Sequence, residues 1–316
     1  MYTTIQTVTG LFPIDKLENV LMHEHIVLGY AGWFYDPRCT RFDHDAAEKK
    51  TLDRLKRLRD CGVNLVVDPC PIELGRNPGF MQEMSVKSGV QIMCSTGFDL
   101  EARGCLSAFR SASAEEIRDI YLYEIENGIG PEHIKPGIIK VATGYGEITD
   151  YEERCIHAAA MASLSSGLPV ITHTEKGTMG PEQAQALKRY GVAANRCLIS
   201  HCCANSDLRY QKAIFDEGAY VGFDRFGNSW HGDDYFRLAM LTALIHMGFS
   251  ERLFIGTDSV AFLLKTLPGD RNYEHWDPVR LFEVILPQLK ERGVTDQEIK
   301  NMTCDNAKRF FTGAPV

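Results

Sequence analysis

The 316-residue sequence has no C-x-x-C pair among its ten cysteines, no apolar run of eighteen residues and no block of lysine and arginine. Each absence removes a class. Without paired spacing, a zinc site made of cysteines is not expected. Apart from the adjacent Cys202 and Cys203, the thiols are scattered singly, several inside apolar runs, and read as packing residues. Lacking a long apolar run, the chain is expected to have no membrane span. The net charge is −8, and nothing suggests the basic face that nucleic acid requires. The opening MYTTIQTVTG has neither the basic region nor the apolar stretch of a secretory leader, so a reducing, cytoplasmic location is expected. No internal repeat, low-complexity tract or linker interrupts the chain. One domain over 1–316 is therefore expected, with residues 1–18 as a short N-terminal segment, a candidate β-hairpin across the mouth or base of the fold.

What is present is alternation. Short apolar runs occur at Val20–Leu28, Val63–Val67, Val90–Cys94, Gly137–Ala142, Pro169–His173, Cys197–His201, Ala219–Phe223 and Leu253–Asp258. Between them lie helical patterns. In Ala46–Cys61, Leu52, Leu55, Leu58 and Cys61 form a stripe opposed by lysines and arginines. Tyr151–Gly167, Pro181–Tyr190, Ser206–Gly218, Asp233–Gly248 and Asp277–Gly293 read similarly, with Asp150 and Ser206 as N-cap candidates and glycines closing several of them. Apolar strands alternating with helices predict a parallel sheet, and a count of eight predicts an α/β fold of the (β/α)8 TIM-barrel type. An open doubly wound sheet is the alternative, weakened because no G-x-G-x-x-G follows the first strand.

Polar residues stand near the ends of these runs, where barrels place their chemistry. His23 and His25 lie in the first run, and alternation along a strand points both the same way. Alone, the pair fits two hydrogen-bonded core histidines as well as a metal site. Lys140, His173, His201 and Asp258 occupy corresponding positions in later runs, and imidazoles converging on one cavity suit a divalent cation. Lys140 sits among Ile138, Ile139 and Val141; it either faces solvent, pairs with a carboxylate, or is held neutral and takes up CO2 as a carbamate. His44, His133, His157, His231, His246 and His275 lack such placement and are assigned surface or satisfied roles.

These blocks resemble the phosphotriesterase family of the amidohydrolase superfamily: LMHEHIVLG, then GIIKVATGYGEITDYEERCIHAAAMASLSSGLPVITHTEKG, CLISHC, ANSDLRYQKAIFDEGAYVGFDRFG, FIGTDS and VILPQLKERGVTDQEIKNMTCDNAKRFF. The resemblance runs from about the tenth residue to the end. It implies a metal-dependent hydrolase with a two-cation site at the C-terminal ends of the strands. His23, His25 and Asp258 would bind the more buried cation, and His173 and His201 the more exposed one. Carbamylated Lys140 and a hydroxide would bridge them. Asp258 would accept the proton of the attacking water, with His201 in a relay. Zinc is the expected metal, with manganese, cobalt and iron as alternatives. A homodimer is implied by the resemblance alone.

The family includes phosphotriesterases, lactonases and amide hydrolases, so the loops must choose. Asp224-Arg225-Phe226-Gly227 resembles the lactonase-like branch, with Arg225 at the pocket entrance or, alternatively, paired on the surface with Asp224. Against that branch, Phe98 and Asp99 follow strand three where many lactonases carry a tyrosine near Asp99; Tyr145 is a substitute candidate. Trp33, with Phe34 and Tyr35, is either a substrate wall or a packed lid, and Trp230 with His231 is open to the same two readings. Lys176, Lys265, Arg271 and Arg225 form a candidate basic rim or are solvated. Arg76 is expected to be structural. The leading expectation is hydrolysis of a small-molecule lactone or ester with a polar or anionic group. The alternatives are an N-acyl amide with an acidic head group, a phosphotriester side activity, and a non-catalytic metal-binding barrel.

Overall fold

A computed structural model describes residues 2–37, 42–264 and 276–316. Strands β1 (Thr4–Thr7) and β2 (Gly10–Pro13) form an antiparallel hairpin. The barrel wall follows: β3 (Asn19–Leu21) and β4 (His25–Leu28), β5 (Val63–Asp68), β6 (Gln91–Gly97), β7 (Ile138–Lys140), β8 (Val170–Ile171), β9 (Cys197–Ile199), β10 (Tyr220–Phe223), then β11 (Leu253–Ile255) and β12 (Val260–Leu263). Parallel pairing runs in the order β11-β10-β9-β8-β7-β6-β5-β3, and β4 pairs in parallel with β12. Eight parallel strands thus build a (β/α)8 barrel, as the alternation predicts. Two of the eight apolar runs are not continuous strands. The first breaks at residues 22–24 and the last at 256–259. Across the break, Asp258 N donates to His23 O (3.1 Å) and His25 N to Ser259 O (2.8 Å), which joins the first wall strand to the last.

The helices are α1 (His44–Asp60), α2 (Pro78–Ser88), the one-turn α3 (Ser107–Arg110), α4 (Ala114–Asn127), α5 (Asp150–Ser166), α6 (Gly180–Arg189), α7 (Leu208–Glu217) and α8 (Asp234–Leu244), with further helical turns to the C-terminus. The sequence reading missed α2 and α4. Its N-caps were each off by one residue. Thr149 caps α5 in a reciprocal capping box with Glu152, and Asp207 rather than Ser206 caps α7. In both cases the capping side chain reaches the free amides of the first turn, and only the residue with extended backbone can do so.

Alternation along each strand sorts the apolar residues into two layers. Val66, Ile92, Ile139, Val170, Ile199, Val221 and Ile255 face the helices. Leu65, Val67, Met93, Ile138, Ile171, Leu198, Tyr220 and Phe254 fill the barrel interior, and Ile5, Leu17, Phe310 and Phe311 plug its base. The hairpin sits at that base, with Val8 N donating to Ile92 O (2.8 Å) near the start of β6. No helix of the described residues is long and apolar enough to cross a membrane.

Candidate metal centre

At the opposite, C-terminal end of the strands the interior turns charged. His23, His25, Lys140, His173 and His201 are all buried, and they meet Asp258 in one cavity of about 170 Å³. The two strand breaks are what bring them together. His23 lies in the first break, so strand alternation is not the reason that it and His25 converge. Asp258 (φ 54°) and His201 (φ 64°) sit just past strand ends in the left-handed region. Non-glycine residues held there cost energy that the surroundings must impose, and such positions cluster at functional sites. Gly97 (φ 127°) closes β6 beside Lys140; a Cβ there would overlap the Lys140 carbonyl, so the two strands need a glycine to approach this closely.

Each imidazole has one nitrogen occupied and the other presented. His25 Nδ1 meets Asp68 Oδ1 at 2.9 Å, His23 Nδ1 meets Ser200 Oγ at 3.0 Å, and His201 Nδ1 meets Asp224 Oδ1 at 2.9 Å. The Nε2 atoms are left for the cavity. His25 Nε2 lies 3.3 Å and His23 Nε2 3.7 Å from Asp258 Oδ1, and a donor atom from each of these three residues fits within 4.8 Å. Asp224, His23 and His201 form a second such group, but both imidazoles reach it through Nδ1, so Asp224 orients the two rings. His173 stands at the edge, its ring 4.6 Å from that of His201 and its Nε2 2.9 Å from Glu175 Oε2.

The electrostatics favour a cation. Burial and Lys140 hold His23 down to about 4, and burial and Arg225 hold His201 down to about 3. Burial and the Arg103 guanidinium hold His173 well below the ordinary histidine value. These rings therefore stay neutral, with lone pairs available, near pH 7. Burial pushes His25 down, but Asp68 and Asp258 outweigh it and raise the ring to about 9. A proton there supplies the positive charge that the two carboxylates demand. Burial lowers Lys140 to about 8; its Nζ faces Thr172 O (3.2 Å) and His23 Nε2 (3.4 Å), with no ion pair among the described residues. Burial opposes the charge on Asp258, yet His201, His25 and Arg225 keep it ionised far below the usual carboxylate range.

Several expectations need correction. Arg225 does not pair with Asp224. It is buried, its Nε donates to Asp258 Oδ2 at 3.0 Å, and its Nη1 has no hydrogen-bond partner among the described residues. Phe98 is not a substrate contact: it is fully buried, with its ring 4.7 Å from that of Phe109. Trp33 packs against Gly29, Gly75 and Leu264 and does not border the cavity. Phe34 and Tyr35 stack on each other (4.0 Å) and are exposed. Tyr145 is 66% exposed with Lys176 Nζ 5.1 Å over its ring, and neither reaches the cavity. Asp99 and Trp230 do line it. Arg271, Lys265 and His275 lie outside the described residues. His231, read as a surface residue, lines the cavity, where burial and Arg225 lower it to about 3.

Other residues were missed. Asp68 and Asp224 end β5 and follow β10, so the strand-end signal that identified His173 was present for both. Glu24 is buried in the first strand break and accepts from Thr257 N (2.7 Å), Ser259 N (2.9 Å) and both hydroxyls, which ties the two breaks together. Arg103, in the loop after β6, lines the cavity with its Nε 3.1 Å from Asp99 and its Nη2 2.8 Å from His173 Nε2. No periodicity marked it. Arg76 is structural as expected, donating to Ser95 O (2.7 Å) and ion-paired with Glu124.

Comparison with known proteins agrees with this geometry. The model of the phosphotriesterase family matches residues 3–311. The solved structure of an organophosphorus hydrolase from Deinococcus radiodurans superposes with a TM-score of 0.94 at 35% identity, covering 98% of this chain and 97% of that one. A phosphotriesterase homology protein of Escherichia coli (strain K12) is 30% identical over 94% of this chain and 99% of its own length. A phospho-furanose lactonase of Mycoplasmopsis synoviae (strain 53) is 28% identical over 97% of this chain and 91% of its own.

Proposed function

The chain belongs to the phosphotriesterase family, and from that premise we propose that this metal-dependent hydrolase opens a small lactone, or cleaves a related carboxylic ester, that carries a polar or anionic group. The observation that supports this reading is the lining of the cavity. Arg103, Arg225, Asn228 and His231 border it together with the proposed ligands, and Trp230 and Trp276 add an aromatic side. At about 170 Å³ it suits a compact substrate. Three apolar arms of a phosphotriester would lie against guanidinium and imidazole groups whose hydrogen bonds they cannot satisfy. The similarity to a lactonase named for a phospho-furanose substrate points the same way.

Asp258, His23 and His25 would hold one divalent cation, His173 and His201 the second, and carbamylated Lys140 both. Zinc is the first choice and manganese, cobalt or iron the alternatives. The donor set fits, because His23, His173 and His201 are neutral, a cation would take the place of the proton on His25, and Asp68, Ser200, Asp224 and Glu175 orient the four rings. When bound, the cations lower the pKa of water toward neutrality and polarise a carbonyl oxygen. Asp258 takes the proton of the attacking water, and the Arg225 contact keeps that carboxylate ionised and aimed at the cavity. His201, next in line, is fixed by Asp224 and accepts no proton until acid pH. The aromatic side formed by Trp230 and Trp276, whose rings are 5.2 Å apart, limits water around the reacting carbonyl.

The test is acid release in a pH-stat by protein loaded with zinc or manganese in the presence of bicarbonate. The panel holds plain, phosphorylated and carboxylated lactones, acyl-homoserine lactones, N-acyl amino acids, N-acyl sulfonates and one phosphotriester, with a parallel amine assay for the amides. Turnover of an anionic lactone well above the rest supports the reading. Silence on every lactone with turnover of an N-acyl amide replaces it.

A further inference from the structure

His173 Nε2 lies 2.9 Å from Glu175 Oε2 and 2.8 Å from Arg103 Nη2. A ring nitrogen that donates to the carboxylate carries a hydrogen and has no lone pair for the guanidinium. One that accepts from Arg103 has no hydrogen for Glu175. At Nε2 the neutral ring satisfies one contact or the other, and which one depends on its tautomer. The ring's remaining nitrogen, Nδ1, lies 3.5 Å from Arg103 Nη2, so with the proton on Nε2 the ring still offers Arg103 an acceptor there as long as no cation takes it. A cation held there needs its lone pair, which puts the proton on Nε2 and selects Glu175. Arg103 then faces a donor across 2.8 Å and loses its acceptor.

What Arg103 retains is on its other side. Its Nε is 3.1 Å from Asp99 Oδ2, and its Nη2 is 3.6 Å from Glu175. The contact through Nε fixes the stem of the guanidinium and leaves the fork of two Nη groups toward the cavity. Its side chain is 39% exposed, against 4% for Arg225, so it has room to turn; Arg225 does not. It ends the single helical turn Glu101–Arg103, which is closed by Gly104 at φ 116°. Arg225 enters the same cavity from the loop after β10, with its Nη1 unpartnered among the described residues.

We propose that Arg103 is a specificity-determining residue: freed from His173 when that ring takes up a cation, its guanidinium fork binds the anionic group of the substrate, with Arg225 Nη1 as a second donor. This rests on the proposed function for the site and adds to it the residue that reads the anion and the condition under which it does so. The ligand class is a small oxyanion-bearing molecule, carboxylate or phosphate, because a planar fork matches both.

The test is calorimetric titration of the whole protein, metal-free and zinc-loaded, with succinate and with its mono-amide, succinamate. Both have a carboxylate for the cations, and only succinate has a second for the fork. The zinc-loaded protein is expected to bind succinate about tenfold more tightly than succinamate, a ratio appropriate to one charge-assisted hydrogen-bond pair. The metal-free protein, with Arg103 held on His173, should show a ratio near one. Arg103→Gln should bring the loaded ratio to near one with zinc stoichiometry and melting temperature retained, and Arg103→Lys should restore it in part. Equal affinity for the two probes in the loaded wild-type protein overturns the proposal. So does a tenfold ratio that survives Arg103→Gln and is lost in Arg225→Gln. Since no turnover is read, these results stand apart from the substrate panel: silence on that panel removes the hydrolytic reading and leaves the anion site to be judged by titration. Inorganic phosphate as a third probe separates a phosphate-bearing from a carboxylate-bearing ligand.

Discussion

At the base of the barrel, Leu65, Ile138, Ile171, Leu198 and Phe254 close the interior with hydrocarbon, sealed below by Phe310 and Phe311. Two residues further along three of the same strands stand Lys140, His173 and Ser200, all buried. Side-chain alternation puts each pair, such as Ile138 and Lys140, on the same inward face. The two layers solve opposite problems. The lower one needs only shape, because apolar side chains lose nothing on leaving water. The upper one buries charges, each of which must find a partner: Asp68 for His25, Asp224 for His201, Asp258 for Arg225. The lower layer is packed hydrocarbon, and the upper one is organised around paired polar groups that could hold a cation. A barrel can do both because a strand delivers its two ends to separate environments.

That contrast can be broken at either end. The largest effect is expected from Asp258→Asn, which removes the proposed proton acceptor and the proposed cation ligand together. Turnover should fall about 10³-fold, and the melting temperature of the metal-free protein should fall as well, because buried Arg225 and the proton-bearing ring of His25 lose their carboxylate. Unchanged turnover would sink the mechanism. Phe254→Ala makes the converse change. It should cost about 3–5 kcal/mol of stability through the cavity left at the base, read by urea unfolding, with specific activity per folded molecule preserved. A selective loss of activity would show that the layers are coupled.

Smaller effects test the supports of the upper layer. Asp68→Ala frees the Nδ1 of His25 and should weaken metal affinity about 10–100-fold, measured by competition with a chelator. It should also remove one of the two carboxylates that raise His25 to about 9. The gentlest probe is pH. Burial lowers Lys140 to about 8, so the neutral amine that adds CO2 increases as pH rises through that value, rather than near the ordinary lysine range. Bicarbonate-dependent zinc uptake should therefore accelerate several-fold between about pH 6.5 and 8.5, where an ordinary lysine would remain protonated. A flat profile, or no carbamate signal in carbon-13 NMR at the upper pH, would return Lys140 to the role of a buried structural cation.

The eight apolar runs of the wall were legible because burial on both faces makes each a short apolar run, although β12 (Val260–Leu263) lies beyond the last of them. His173 and Lys140 were legible for the same reason, being polar residues at the ends of such runs. The breaks in the first and last strands were not. The run from Val20 to Leu28 looks continuous, and its interruption at His23 depends on Glu24 reaching Thr257 and Ser259, more than two hundred residues away. The aromatic and basic loop residues fared worst. Trp33, Phe98, Tyr145 and Lys176 were plausible by type, and His231 was dismissed by type, since composition does not say which side of a loop faces the cavity.

The sequence by itself determined the alternation of strand and helix, the count of eight, and the donor types standing at the strand ends, because these follow from local periodicity and residue chemistry. Only the tertiary structure decided that Asp68 and Asp224 orient imidazoles, that Arg225 holds Asp258, and that Arg103 reaches His173. Those contacts join residues far apart in the chain through buried hydrogen bonds a few ångströms long. Their geometry is set by how the barrel closes, and no segment of the chain contains it.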